Sequence, residues 1–279
     1  MLMLALTIIA NTSFALIVRA AQRRGANDVA VGMVNYVLAC GVYAVIGALR
    51  QPEGAALAGR FGLVGGTFNV LIFLLLLPAM QMKGVGVAIS VVRLAVVVPL
   101  GASILFWQEA PAGITVVGIA LALLALPLLG FDKGVNSERL TPRRGALLLG
   151  LFIANGVALL MIKWFQTTGY TEARVVYLAT VFAVSAIVCF ITWRSTTKRA
   201  LRSDELAWGA FLGISNAITN FLIFATLDVL PASVMFPVLA AAGLSLTTVF
   251  AAVVWREVPG RLGWAGIGVA IVAVVLANL

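Results

Sequence analysis

The chain has 279 residues, of which 62% are hydrophobic and 10% charged, with a formal net charge of +9. A soluble domain carries charge on about a quarter of its residues, so this composition excludes an ordinary soluble protein. The positive charges lie in short connections between apolar runs, not in a basic stretch with interleaved aromatics, which excludes a nucleic-acid partner. Runs of about 20 apolar residues, enough to cross the hydrocarbon core, recur throughout and predict a polytopic membrane protein.

The predicted fold class is all-α, a polytopic membrane protein with ten transmembrane helices separated by glycine, proline and charged turn signals. In chain order the predicted helices cover residues 2–21, 28–49, 61–81, 84–107, 112–130, 144–166, 172–193, 206–228, 231–255 and 260–278.

Three alternative interpretations concern these helices. Helices 3 and 4 abut, so 61–107 could be one bent segment, although it is too long for one crossing. The polar run Asn11-Thr12-Ser13 interrupts the first helix. Pro237 would kink the ninth, because proline cannot donate a helical hydrogen bond.

The sequence predicts two five-helix copies, residues 1–131 and 144–279, joined by a polar linker at 132–143. Near the start of each copy, Ile9-Ala10-Asn11 matches Ile153-Ala154-Asn155 at an offset of 144. Near the end, an offset of 148 relates Trp107, Glu109, Pro111 and Gly118 to Trp255, Glu257, Pro259 and Gly266. An odd number of helices per copy inverts the second copy in the membrane. Inverted repeats are typical of secondary transporters, whose substrate site lies near the midplane between the repeats.

The charged loops predict the orientation of the chain. Of the 19 lysines and arginines, 14 fall on one face of the predicted topology, four fall on the other, and Arg93 falls inside a helix. The positive-inside rule then places the 14 in the cytoplasm and both termini outside. The six tryptophans all lie near predicted helix ends, as in an interfacial aromatic belt.

Arg93 is the candidate functional residue with the clearest physical signal. It lies about nine residues from one end of predicted helix 4 and fourteen from the other. A charge at that depth costs several kcal/mol and usually faces the bundle interior or a wet cavity. One interpretation is a guanidinium that binds a substrate carboxylate or phosphate. The other is an arginine that helix carbonyls satisfy or that reaches the interface.

A polar lining can be assembled around Arg93 from small and amide side chains at mid-depth in other helices. The candidate substrate-binding residues are Arg93, Asn11, Ser13, Asn69, Ser90, Asn155, Tyr177, Asn216 and Asn220, with Thr12, Thr180 and Thr219 beside them. Asn216 and Asn220 are four residues apart and so share one helix face. Each of these residues could equally be an interhelical packing contact, but jointly they predict a wet cavity.

Several other features have a structural explanation. Glu109 and Glu257 could couple transport to protons, but their interfacial positions favour a solvated cap at the start of the next helix. The pattern from Gly209 to Gly213 predicts close helix packing. Cys40 and Cys189 are interpreted as buried small hydrophobes. The sequence contains no histidine, no phosphate-binding loop and no nucleophile–base pair, so we expect neither a cofactor nor an enzyme.

Ten helices in two halves, each closing with an apolar hairpin of Trp-x-Glu-x-Pro form, resemble the drug/metabolite transporter superfamily, specifically its EamA-type branch. The closing segments are 106–126 and 254–276, and Asn-Thr-Ser-Phe-Ala at 11–15 is similar to that family's Trp-Gly-Ser-Asn-Phe region without its tryptophan. The resemblance implies an inner-membrane carrier working by alternating access. It also implies cytoplasmic termini, opposite to the orientation from loop charge.

The predicted function is a carrier for a small polar or anionic metabolite such as an amino acid or organic acid. The related small multidrug pumps use a deep glutamate in their first helix, where this chain has Asn11, Thr12 and Ser13. An exporter of amphipathic drugs or cations is therefore the weaker alternative. A non-transporting membrane subunit is another. The expected partners are the lipid bilayer and the small-molecule substrate, as a monomer or homodimer.

Overall fold

A computed structural model describes residues 2–81, 91–111, 113–131, 142–197, 199–256 and 259–277. Every regular element in these ranges is helical. The helices are α1 (Leu2–Arg23), α2 (Asp28–Arg50), α3 (Ala55–Gln81), α4 (Val97–Trp107), α5 (Ile114–Phe131), α6 (Pro142–Gln166), α7 (Arg174–Thr196), α8 (Ser203–Leu227), α9 (Ala232–Trp255) and α10 (Arg261–Leu276), with a 3-10 turn at Thr171–Ala173.

Within the described ranges, seven helices are long and apolar enough to cross a membrane: α1, α2, α3, α6, α7, α8 and α9. Three shorter apolar segments cover Val91–Trp107, Ile114–Leu129 and Arg261–Leu276. These lengths and compositions fit a multi-pass membrane protein. Ten crossings remain a prediction.

Two boundaries differ from the sequence prediction for identifiable reasons. The third helix begins at Ala55 instead of 61, because Gly54 adopts a left-handed conformation (φ 76°) and its carbonyl accepts the first helical hydrogen bond, from Ala58. Arg60 lies on the exposed side of the first turns, so the helix includes this charged residue. The eighth helix begins at Ser203, three residues early, with Asp204 and Glu205 in its first turn.

The predicted helix 84–107 is interrupted within its described part. Residues 91–94 are helical, Ala95 and Val96 form a turn, and α4 starts at Val97. Pro99 explains the break, because its ring would clash with the carbonyl of Ala95 in a continuous helix and it has no N–H to donate. In the turn, the Ala95 carbonyl instead accepts a hydrogen bond from the Val98 amide, at 3.0 Å. Residues 82–90 lie outside the described ranges, so the alternative of one bent segment over 61–107 stays open.

The polar run in the first helix does not interrupt it. α1 is continuous from Leu2 to Arg23, and the Ser13 hydroxyl donates to the carbonyl of Ile9 at 2.9 Å. A hydroxyl that bonds one turn back along its own helix tolerates a helical backbone. Pro237 likewise lies inside the continuous helix α9.

The chain forms two compact units, each assembled from separate stretches of sequence. Unit 1 comprises Met1–Ile8, Leu71–Leu160 and Thr226–Leu279. Unit 2 comprises Ile9–Val70 and Met161–Ala225. The predicted copies, 1–131 and 144–279, are divisions of the sequence, and each unit contains helices from both of them.

In unit 1, α5 packs on α10 through two reciprocal close contacts. A Cβ on Gly118 would lie 2.4 Å from the Ala277 nitrogen, and a Cβ on Gly266 would lie 2.8 Å from the Leu129 Cγ. The early part of each helix therefore meets the late part of the other, so the pair is antiparallel. The offset of 148 that relates Gly118 to Gly266 also relates Leu129 to Ala277, so the two contacts join equivalent positions of the two predicted copies.

Unit 2 shows a matching pair. α2 packs on α7, with Gly47 near the end of α2 against Val176 near the start of α7, so these helices also run antiparallel. Tyr36 and Tyr43 stack on Phe182 across the same contact, with ring centroids 6.1 and 6.0 Å apart. These rings belong to the buried core of the unit.

Candidate functional site

Arg93 lies in unit 1, directly before the turn that separates residues 91–94 from α4. Its side chain is partly buried, and no described residue forms a hydrogen bond or ion pair with its guanidinium. Partial burial of a charge is costly when no partner offsets the desolvation of the ion. Within the described part of the chain, the guanidinium donors of Arg93 are therefore open to an anionic or carbonyl ligand.

Asn155 is brought to the same place by α6. Its amide nitrogen donates to the carbonyl of Val92 at 2.7 Å. The next residue, Gly156, allows close approach, since a Cβ there would lie 2.5 Å from the Val98 Cγ2. α6 thus contacts the chain on both sides of the break, and the Asn155 amide bonds to the backbone one residue before Arg93. Ser90 lies outside the described residues.

The break adds a second electropositive feature next to Arg93. α4 has no side-chain cap at its N-terminus, where Val96 is the capping residue. The first amides of a helix carry partial positive charge and attract anions. The guanidinium and the helix start lie within a few residues of each other along the chain, so the segment favours a negatively charged group.

In unit 2 three asparagines form a hydrogen-bonded chain between α2 and α8. The Asn220 amide donates to the side-chain oxygen of Asn216 at 2.8 Å, and the Asn216 amide donates to that of Asn35 at 3.0 Å. Asn35 is 2% exposed and Asn216 8% exposed. The predicted pair is therefore assembled, with a third amide, Asn35, that no sequence signal had singled out.

Asn69 makes the corresponding contact elsewhere in unit 2. Its amide donates to the Ser185 hydroxyl at 2.9 Å, and that hydroxyl donates to the Val181 carbonyl at 2.9 Å. Asn69 lies on α3 and Ser185 on α7, whereas Asn216 lies on α8 and its partner Asn35 on α2. Each amide thus reaches the second helix of the other predicted copy.

In both α3 and α8, glycines that allow close helix packing lie shortly before the asparagine, Asn69 or Asn216. A Cβ on Gly209 would lie 2.4 Å from the Val34 Cβ, which confirms the predicted packing role of the 209–213 pattern. A Cβ on Gly62 would lie 2.7 Å from the Thr180 Cβ in the same manner. Gly62-x3-Gly66-x2-Asn69 repeats as Gly209-x3-Gly213-x2-Asn216 at an offset of 147, a signal in the sequence that would have linked the two amides.

Tyr177 is part of the aromatic core of unit 2. It is 2% exposed, stacks on Phe165 with ring centroids 5.1 Å apart, and meets Phe224 edge-on at 5.5 Å. These are the contacts of a core residue. Asn11 and Ser13 are partly buried on α1, also in unit 2. A role in substrate binding stays a prediction for all three.

Glu109 caps the start of α9, a helix that lies far from it along the chain. Its carboxylate accepts a hydrogen bond at 3.0 Å from the Ala232 amide, the first amide of α9. Pro231, which precedes Ala232, cannot supply a side-chain cap, so the acidic group arrives from another segment. The expected cap at the start of the following helix stays a prediction, and the cap of α9 is an additional contact. Glu257 lies outside the described residues.

Glu205 is a buried acid that the sequence prediction overlooked. It is 0% exposed and accepts hydrogen bonds from both terminal nitrogens of Arg199 and from the amides of Arg202 and Asn27. Asn27 in turn caps α2 by accepting from Val29 and Ala30. The hydrogen bond to Glu205 raises the pKa of the Arg199 guanidinium. This cluster joins the start of α8 to the start of α2.

Comparisons with known proteins support the fold and no further conclusion. No family model matches the chain, and no curated protein matches it. A solved crystal structure is similar over 99% of this chain and 95% of its own, with a TM-score of 0.74 and 14% sequence identity. Within the described residues, no group of three or more acidic or cysteine side chains could hold a metal ion.

Proposed function

We propose that this protein is a secondary transporter that moves a small polar or anionic metabolite, such as an amino acid or organic acid, across the bacterial inner membrane by alternating access. The observation that carries the proposal is the reciprocal packing of α5 on α10. Matched residues of the two sequence copies exchange contacts there, and the helices run in opposite directions. Inverted repeats with this relation are typical of secondary transporters.

The matched glycine–asparagine segments support the same proposal. Gly66 approaches Val181 and Val184, and Gly213 approaches Asn35 and Leu38. The residues that these glycines approach are also matched: an offset of 146 relates Asn35 to Val181 and Leu38 to Val184. The two glycines themselves are related by an offset of 147. Two symmetric halves that interlock in this way can rock between two equivalent arrangements, as alternating access requires.

Arg93 and the adjoining start of α4 support an anionic substrate. The guanidinium fork is suited to bidentate binding of a carboxylate or phosphate. The acidic residues that the structure describes lie in loops or near helix ends, so none of them offers a lipophilic cation a carboxylate at mid-membrane depth. Asn11, Ser13, Asn69, Ser90, Asn155, Tyr177, Asn216 and Asn220 are proposed as further substrate-binding residues. We propose no catalytic role and no cofactor.

Membership of the EamA-type branch of the drug/metabolite transporter superfamily is part of the proposal. It rests on the ten apolar segments and the repeated Trp-x-Glu-x-Pro hairpins. Loop charge places the termini outside, whereas the family resemblance places them in the cytoplasm. Single cysteines at Arg23 and Glu53, in a variant without Cys40 and Cys189, would lie on opposite faces. Labelling of intact cells with a membrane-impermeant maleimide decides between the two orientations.

The proposed function is tested by uptake into proteoliposomes. Labelled aspartate, succinate and alanine are supplied, with ethidium as the lipophilic cation. We expect uptake of an anionic or zwitterionic compound, reduced at least about tenfold by Arg93→Ala, because hydrogen bonds to charged groups contribute about 1.5–3 kcal/mol. Arg60→Ala, which removes an exposed cation, is the matched control and should transport normally.

Three outcomes would contradict this proposal. Unimpaired uptake by a folded Arg93→Ala variant would remove Arg93 from the site. Ethidium transport without uptake of the other compounds would support a drug exporter. Absence of any flux, with correctly folded protein, would support a non-transporting membrane subunit.

A further inference from the structure

A cavity of about 620 Å³ opens on unit 2 between the α2–α3 connection and the α6–α7 connection. Arg50 and Glu53 line it from the first connection, and Tyr170 and Glu172 line it from the second. None of these residues belongs to the predicted substrate site. One cation and two carboxylates therefore face a single recess.

The charges in the cavity are available to a ligand. The Arg50 Nη1 lies 2.9 Å from the Glu172 Oε2, but their side chains are 61% and 65% exposed. Exposed ion pairs of this kind contribute little to stability, so opening this one costs little. A molecule that carries both an anion and an ammonium could replace this ion pair. Its anion would bind Arg50, and its ammonium would bind Glu172 and Glu53.

The aromatic wall of the cavity is held by the backbone. Gly54 has a left-handed conformation (φ 76°), and a Cβ there would lie 2.5 Å from the Tyr170 Cγ. The ring therefore rests directly on the chain at Gly54, and any larger residue would displace it. Tyr170 is still 43% exposed, so part of its surface remains open to a ligand.

The position of the cavity indicates where its ligand comes from. One apolar span ends at Arg50, and another begins at Thr171, so the lining residues lie at the limit of the hydrocarbon region. Phospholipid headgroups occupy that level of a bilayer. Tyrosine is also enriched there, with its ring at headgroup depth.

We propose that this cavity binds a zwitterionic group made of an anion and a primary ammonium, supplied by the headgroup of an ethanolamine phospholipid. Arg50 binds the phosphate, Glu172 and Glu53 accept hydrogen bonds from the ammonium, and Tyr170 packs against the linking carbons. A choline headgroup has the same charges but no N–H to donate, so it fits less well. The site is independent of the transport proposal.

The test measures binding of short-chain lipids to the purified full-length protein by native mass spectrometry. The probes are dihexanoyl phosphatidylethanolamine, phosphatidylcholine and phosphatidylglycerol, with free phosphoethanolamine as the soluble zwitterion. We expect the ethanolamine lipid to bind most tightly, and Arg50→Gln and Glu172→Gln each to weaken it about tenfold or more. Arg60→Gln, which removes a cation outside the cavity, should bind as the wild type does.

Gly54→Ala keeps every charge and displaces the Tyr170 ring, so it should also weaken ethanolamine-lipid binding. Equal binding of free phosphoethanolamine would support the zwitterion site with a soluble ligand as its source. Equal binding of the three lipids would overturn the proposal. So would wild-type binding by both charge variants, or the absence of binding by any probe.

Discussion

Replacement of Glu205 by alanine should lower the free energy of unfolding by about 3 kcal/mol. The carboxylate is fully buried and accepts four hydrogen bonds, two from Arg199 and one each from the Arg202 and Asn27 amides. Alanine would remove all four acceptor contacts at once. The start of α2 would then lose its link to the start of α8.

The size of this loss depends on whether the groups that donate to Glu205 can bond to water once the carboxylate is removed. Removing one partner of a buried ion pair costs about 3–5 kcal/mol when the other charge stays buried. Arg199 is 42% exposed and can rehydrate, which brings the cost to the lower end of that range. The amides of Arg202 and Asn27 add little to this cost, because Arg202 is exposed and Asn27 only partly buried, so water can replace the lost acceptor.

Asp204 provides a matched control on the same helical turn. It pairs with Arg202 at 2.9 Å, but their side chains are 34% and 56% exposed. Asp204→Ala should therefore cost no more than about 1 kcal/mol. Unfolding by sodium dodecyl sulfate in mixed micelles measures both variants. Equal losses from the two substitutions would show that the buried cluster is not the stabilising feature.

Three further predictions concern helix contacts. Gly266→Leu should cost about 1–3 kcal/mol by overpacking against α5, whereas Gly268→Leu, with no atom within 4 Å of its Cβ position, should be tolerated; similar unfolding curves for both would contradict the close approach. A double-mutant cycle of Asn35→Leu and Asn216→Leu should give a coupling of about 0.6 kcal/mol, and zero coupling would exclude their hydrogen bond. Glu109→Ala should lower thermal stability by about 0.5–2 kcal/mol through loss of the α9 cap, and Glu109→Gln by less.

Most of the helices could be predicted from the sequence, because hydrophobicity over about 20 residues depends on composition alone. The interrupted segment before α4 was missed, because Pro99 lies in an otherwise uniform apolar run and was counted with its neighbours. The start at Ala55 was missed because the predicted helix 61–81 begins directly after the charged residue Arg60, although a helix can include an exposed arginine.

The candidate site was predicted in part. Asn216 and Asn220 lie on one helix face, as their spacing implied. The Asn155 amide bonds to the carbonyl of Val92, the residue before Arg93, a contact that spacing did not predict. Asn35 could not be found in this way, since its partner is 181 positions away and single-helix periodicity carries no information on such contacts. The buried state of Glu205 depends on Arg199 and Asn27 folding over it, which the sequence does not reveal.

The composite units set an order of assembly during synthesis. Everything that unit 2 contains has been made once residue 225 leaves the ribosome, whereas unit 1 still lacks α9 and α10. Chains emerge from the N-terminus and domains fold as units when they are complete. In nascent protein halted after α8, the amides of α2 and α7 should therefore already be protected from hydrogen exchange. Gly118 should still lack its contact, because α10 has not yet been translated.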